Sequence, residues 1–400
     1  MSSTRRNLSL LFVINILAAV YLNMIGTFLP LFIRNLKASV FEVSLVIFTG
    51  NALTVIAMML GGFLSDKYGR KRILMLSGVF WIISPLLYIS TKSWPETIIY
   101  TLMNNIAFSL FVPARIAMIA DLVVRKSSFG TTYGLTNMAW PIGGLLGPLI
   151  GGMIADRYGW NAFFFFLSSL AIAYMLIGIF ITESAKKPQR IEEKKPKTLS
   201  REIALTLLFF VLMHIFANTS RGILLTIFPF YLTENFGKTK TDVGIFFSVG
   251  FGLATLITQI PSGFLADKLG RKRVMIYSNL PLPFLSVLFL VTNDYLLTLL
   301  LYMAITGLWS ATWPASTAYI TDISPSAKKG LMIGIRLTAV RLGFTVGPLV
   351  GGFLWDNFAP PIIFYVVTLF LALSLLLSLL LKEEMSQVNV KPESLLADEG

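Results

Sequence analysis

Cysteine is absent from the 400 residues, and histidine occurs once. The first absence removes disulfides and thiol chemistry. Together they leave no cluster of side chains with metal-ligand spacing. No Gly-Lys phosphate loop and no Ser/His/Asp set can be assembled, so nothing here specifies an enzyme, and no cofactor is expected. Charge is scarce as well. Only 13% of residues carry it, against roughly 25% in a soluble domain. Apolar residues take its place, at 55% of the chain, with a mean hydropathy of +0.75. Such a chain cannot cover its surface with polar groups, and lipid is the solvent it suits.

Apolar stretches of about 20 residues, the length a bilayer requires, recur near 8–33, 42–64, 73–91, 96–122, 130–155, 160–182, 202–232, 242–265, 274–292, 295–322, 330–354 and 360–381. The first is too long for a cleaved leader and has no evident cleavage site, so it is expected to stay as an anchor. The net charge of +13 has a topological cause. Of the 33 Lys and Arg, 23 fall on the side of the two ends, 6 on the opposite side and 4 inside helices. This asymmetry predicts both termini in the cytoplasm of a multi-pass protein of the cell membrane, with no nucleic-acid partner.

The chain repeats itself. "GGFLSDKYGRKR" (61–72) returns as "SGFLADKLGRKR" (262–273), identical at nine of twelve positions. Pro113 and Asp121 return as Pro314 and Asp322 at an offset of 201. At an offset of 200, Gly134, Gly143, Gly147, Pro148, Gly151 and Gly152 match Gly334, Gly343, Gly347, Pro348, Gly351 and Gly352. Two halves follow, 1–182 and 201–382, joined by the polar linker "ESAKKPQRIEEKKPKTLS" (183–200) and followed by a tail, 383–400. The linker is expected to be a tether. Six spans per half is an even number, so the halves share one orientation.

The duplicated loop has its own chemistry. Gly62 and Gly263 are expected to let a helix end pack closely on a neighbour. Asp66 and Asp267 are placed to accept hydrogen bonds at a helix N-terminus. Gly69 and Gly270 permit a tight turn. Arg70 and Arg271, with the lysines and arginines after them, hold the loop in the cytoplasm. Asp121 and Asp322 are placed to pair with the loop arginines.

Gly-x-Leu-x-Asp-Lys-x-Gly-Arg-Lys after the second and eighth spans resembles the signature loop of the major facilitator superfamily. The resemblance implies an all-α integral membrane protein of twelve helices in two pseudo-symmetric six-helix bundles, working by alternating access. It also implies that Asp66 and Asp267 contact helices 11 and 5 and latch the cytoplasmic side when the protein faces outward. The glycine repeat resembles the helix 5 element of the family's proton-driven exporters, although here it stands in helix 11 too. The function implied is proton-coupled export of drug-like or amphiphilic compounds by a monomer. Import of a small organic anion and lipid flipping on the same fold stay open as alternatives.

All 20 acids lie in loops, tails or helix ends. Four bases lie within spans: Arg115, Arg221, Arg336 and Arg341. Arg336 is near enough to its helix end to snorkel, whereas Arg341 is near mid-span. His214, Asn218 and Arg221 share one face of helix 7 by their i, i+4, i+7 spacing. Asn104 and Arg115 nearly eclipse each other on helix 4. Asn15 and Asn23 mark helix 1, and Thr306, Ser310 and Trp313 form a stripe on helix 10. In the family helices 1, 4, 7 and 10 line the central cavity, so these residues and Arg341 are expected around a cationic site suited to an anionic substrate. Arg115 resembles the helix 4 arginine that exporters use in proton coupling. His214 is the mid-membrane group that titrates near neutral pH.

Overall fold

The computed structural model describes residues 3–122, 129–182, 201–324 and 329–382. The expected linker and tail lie outside them. Within them, twelve helices are long and apolar enough to cross a membrane, and there is no strand. They are α1 (Thr4–Asn35), α2 (Val40–Tyr68), α3 (Arg70–Ile89), α4 (Glu96–Leu122), α5 (Gly134–Arg157) and α6 (Gly159–Ile179) in one bundle. The other holds α7 (Ala204–Asn235), α8 (Lys240–Leu269), α9 (Arg271–Leu290), α10 (Tyr295–Asp322), α11 (Gly330–Asn357) and α12 (Pro360–Leu379).

Equivalent helices begin and end by equivalent chemistry. Ser39 Oγ accepts from the Glu42 N–H at 3.1 Å while the Glu42 carboxylate accepts from the Ser39 N–H at 2.7 Å, a capping box that starts α2. Thr239 and Asp242 do the same for α8. Both helices stop at a glycine. Gly69 has φ +99° and Gly270 +93°, a region where a side chain is strained, and α3 and α9 start on the next residue. The tight-turn expectation is met.

The changing repeat offset has a structural cause. Thr27 and Pro30 match Thr226 and Pro229 at an offset of 199, while Asn35 matches Asn235 at 200. Between them α7 passes through a π-helical turn, Tyr231–Asn235, which absorbs one extra residue. A second π turn, Ser248–Leu253 in α8, stands where the offset steps from 200 at Gly50 and Gly250 to 201 at the duplicated loop.

The glycine repeat brings helices together. A Cβ at Gly147 would meet the Val20 carbonyl of α1 at 2.6 Å, and one at Gly347 would meet the Thr219 carbonyl of α7 at 2.5 Å. Gly143 and Gly343 touch backbone one turn earlier on the same two helices. α5 and α11 therefore lie flush on α1 and α7, as small residues allow in lipid. The expectation for Gly62 and Gly263 is not met. A Cβ at Gly62 would find Pro113 at an ordinary 3.9 Å, and at Gly263 nothing within 4 Å. The tight approach in α2 is one residue earlier, where Gly61 lies against the Ser109 carbonyl.

Candidate functional site

Apart from one mid-span bond, from Asn51 to the Phe344 carbonyl, the hydrogen bonds and ion pairs found between described residues of the two bundles gather at one end of the molecule. Call the end with the duplicated loops the motif face and the other the far face. At the far face Asp356, closing α11, accepts from the N–H groups of Val40 (3.3 Å) and Phe41 (2.8 Å), which open α2. Asp156, closing α5, accepts from the Thr241 hydroxyl at 2.8 Å and N–H at 3.3 Å, at the start of α8. The two contacts are copies, 200 residues apart. Each sets a carboxylate on the positive end of a helix dipole. Arg34 and Glu234, themselves repeat-equivalents, pair across the axis at 2.9 Å. Gly152 and Gly352 let backbone reach Lys240 and Val40 beneath these contacts.

The motif face is arranged differently. Asp66 and Asp267 are well exposed, at 62% and 69% of their side chains. Asp66 is 4.0 Å from Arg70, and Asp267 is 3.1 Å from Arg271, each within its own loop. Arg70 pairs with Asp121, and Arg271 with Asp322 at 3.2 Å. The loop arginines thus meet the acids that sequence analysis assigns to them. The expected contact of Asp66 with α11, and of Asp267 with α5, is not seen among the described residues.

Between the bundles lies a cavity of about 260 Å³. α1 supplies apolar wall with Leu22, Ile25 and Leu29; α4 supplies Thr101, Asn104, Asn105 and Phe108; α11 supplies Arg341, Phe344 and Pro348. Asn51 of α2 and Trp140 of α5 complete one side. Arg341 reaches across from its own bundle, its guanidinium 4.6 Å from the centre of the Phe108 ring. Asn51 donates to the Phe344 carbonyl at 3.1 Å, again across the bundles. Asn104 accepts from the Tyr21 hydroxyl at 3.0 Å, which orients its amide.

Of the expected cavity residues, Asn104 and Arg341 lie on this cavity. His214, Asn218, Arg221 and Trp313 line a smaller cleft within the second bundle. Asn23 donates to Ala19 O and lies against α5. Thr306 turns to the carbonyls of Gly250 and Tyr302, tying α10 to α8. Arg115 is buried in the first bundle, 5.6 Å from the Phe111 ring. Asn15 and Ser310 are buried and line neither space. Arg336 does not snorkel. It is 2% exposed, donates to Ser316 Oγ at 3.1 Å and to the Trp313 carbonyl at 3.3 Å, and lies 4.3 Å over the Trp313 ring. These fixed acceptors hold it inside. Sequence reasoning missed Asn51, Thr101 and Asn105 on the cavity. Asn105 is next to Asn104, and Asn51 is the mid-span amide of α2; a search for amides on every span would have found both.

The family model described as Major Facilitator Superfamily matches residues 11–217 and 210–396. The multidrug resistance protein MdtG of Proteus mirabilis is 29% identical over 91% of this chain and 92% of its own. The multi-drug resistance efflux pump PmrA of Streptococcus pneumoniae is 27% identical over 92% of this chain and 93% of its own. Among solved structures, a bacterial homologue of the human lysosomal transporter Spinster, inward-facing and occupied, superimposes with a TM-score of 0.76 at 16% identity, covering 94% of this chain and 96% of that one.

Proposed function

The chain belongs to the major facilitator superfamily, and we propose that it exports amphiphilic, drug-like compounds from the cytoplasm in exchange for protons. It is a secondary transporter in a membrane, not an enzyme. The observation that carries the export reading is the lining of the central cavity. Eight of its eighteen lining residues are leucine, isoleucine, phenylalanine or tryptophan and four are glycine or proline, with three asparagines, two threonines and one arginine among them. Its volume of about 260 Å³ approaches the roughly 300–1,000 Å³ of drug-sized sites. Apolar walls with few polar anchors select for amphiphilic character more than for one outline. Relatives named multidrug efflux pumps over most of the chain support the same reading.

Lysine and arginine crowd the motif face, so that face is the cytoplasmic one by the positive-inside rule. The far face, sealed by Asp156, Asp356 and the Arg34–Glu234 pair, then looks outward, and this conformation faces the cytoplasm. Export proceeds by loading the cavity from the motif face and rocking the bundles about it. The far-face contacts break, and Asp66 and Asp267 gain their partners on α11 and α5. Each state trades one pair of carboxylate–helix contacts for another, which keeps the two close in energy.

Proteoliposomes test the proposal. An imposed pH gradient should drive an amphiphilic dye against its own gradient. Dye flux that ignores the pH gradient would remove proton coupling; no flux for any amphiphile would remove the export reading. Import of a small organic anion is a second reading, favoured by Arg341 on a cavity whose lining has no acid. If it holds, Arg341→Gln should weaken binding of an anionic compound far more than of its neutral ester.

A further inference from the structure

The smaller cleft inside the second bundle lies apart from the central cavity. It encloses about 20 Å³, lined by His214, Asn218, Arg221, Trp309, Trp313 and Arg336 among others. A space of that size holds one particle about as large as water. Two guanidinium groups share it, and no carboxylate is among its lining residues.

Three buried nitrogens of its lining residues have no hydrogen-bond partner: Nε2 of His214, Nε of Arg221 and the indole Nε1 of Trp309. The arginine and indole groups can only donate, and the imidazole nitrogen donates in one of its tautomers. Buried polar groups are nearly always paired, so three orphans in one lining need an account. Aromatic rings do not supply it. The Arg221 guanidinium is 5.1 Å from the centre of the Phe251 ring, 5.4 Å from Phe344 and 6.0 Å from Trp309. Ring faces attract the cation, but they do not replace an acceptor in line with the N–H. Arg336 is fixed by Ser316 and the Trp313 carbonyl, which keeps its charge at the wall.

This set of donors is particular to the second bundle. By the offsets established above, His214, Arg221 and Arg336 correspond to Asn15, Leu22 and Thr136, and Trp309 and Trp313 to Phe108 and Val112. The first bundle has no cation at these positions; its own buried arginine, Arg115, stands at the position of Ser316.

We propose that the cleft binds one small monovalent anion, either a halide-sized ion from solution or the carboxylate end of a larger solute. N–H groups from α7, α10 and α11 would donate to it, and the anion would tie the three helices together. Tetrahedral oxyanions such as sulfate exceed the space. Phe344 touches Arg221 and also lines the central cavity, so its ring is the wall between the two spaces, and a solute carboxylate enters the cleft only where that ring moves aside.

The test uses the full-length protein in detergent, in sodium sulfate at fixed ionic strength. Chloride, bromide, acetate and a longer carboxylate with its methyl ester are titrated in, reading the unfolding midpoint and tryptophan fluorescence. A saturable response to at least one anion is expected, with bromide visible by anomalous scattering beside Trp309. Halides alone would identify a free ion, and carboxylates alone the end of a solute; either supports the site. Arg221→Lys and Trp309→Phe, each checked for monodispersity, should bind about tenfold more weakly, the loss of one charge-assisted hydrogen bond. Surface variant Lys92→Gln should not differ from the parent. No saturable response in the parent, or equal affinities in parent and both cleft variants, overturns the proposal.

Discussion

Removing both far-face carboxylate contacts, with Asp156→Asn and Asp356→Asn together, should shift the protein toward its outward-open state. Asparagine keeps an oxygen acceptor for the N–H groups of Phe41 and Thr241 but loses the charge that faces the helix dipole. A charge at a helix N-terminus contributes about 0.3–1 kcal/mol at an exposed site, and both carboxylates are exposed. A charge-assisted bond weakened to a neutral one adds a similar amount after screening. The two sites together should therefore cost the sealed state about 1–2 kcal/mol, a factor of roughly 5–30 in the population ratio. The absence of native cysteine permits clean spin labelling. Labels on Lys92 and Asn293, exposed at the far face, and on Tyr68 and Leu331, exposed at the motif face, read both ends by pulsed electron resonance. The far-face distance should lengthen while the motif-face distance shortens, less so at high salt. Unchanged distributions at both ends, in a folded double variant, would show that these carboxylates do not govern the equilibrium.

Gly347→Ala should destabilise by about 1–3 kcal/mol, because its Cβ would meet the Thr219 carbonyl at 2.5 Å and backbone cannot yield as a side chain does. Gly334→Ala on the same helix, with nothing within 4 Å, should be neutral or stabilising by about 0.5–1 kcal/mol; thermal unfolding in detergent separates the two. Asp66→Asn should raise the inward-open population if the latch on α11 forms in the other state, read from the motif-face labels. Lys382 bonds Glu202 at 2.5 Å and holds its carboxyl below the ordinary 4.5. A depressed folded value means that this contact stabilises above the ordinary carboxylate range and is lost as pH falls through the lowered value; Glu202→Gln should remove that acid-side dependence from the unfolding midpoint. Replacing 186–197 by Gly/Ser of equal length should leave transport intact in vesicle assays.

What the sequence disclosed follows from which interactions are local. Span number depends on runs of apolar residues, and each run reports itself. The turn at Gly69 and Gly270 was legible because a positive φ has a one-residue signature. The glycine repeat was legible as close packing, because a missing Cβ matters only where another backbone approaches. The same logic failed at Gly62, where the residue that touches α4 is its neighbour; one step along a helix is about 100° of rotation, and a string read without its partner cannot say which glycine faces inward. The far-face seal went unread although both carboxylates and both capping boxes are in plain view. Asp156 and Asp356 each look like ordinary helix-end acids until the other bundle supplies a helix N-terminus.

The polar stripes show the limit most clearly. Periodicity places His214, Asn218 and Arg221 on one face of α7, and the structure keeps them together. Periodicity does not say what that face meets. Here it meets Trp309, Trp313 and Arg336 of its own bundle rather than the space between bundles. Arg336 looked free to snorkel because distance to the helix end is a one-dimensional measure. Its side chain instead finds a hydroxyl, a carbonyl and an indole face on α10, and three fixed partners outweigh one route to water. A cation held inside a bundle by such contacts is a charge the fold retains at a cost in desolvation. Its repeat-equivalent is Thr136, an uncharged residue at the same place in the same architecture. The first bundle carries its arginine on the other member of the pair, because Arg115 of α4 corresponds to Ser316, the acceptor of Arg336; each bundle therefore retains one buried guanidinium, held on a different helix.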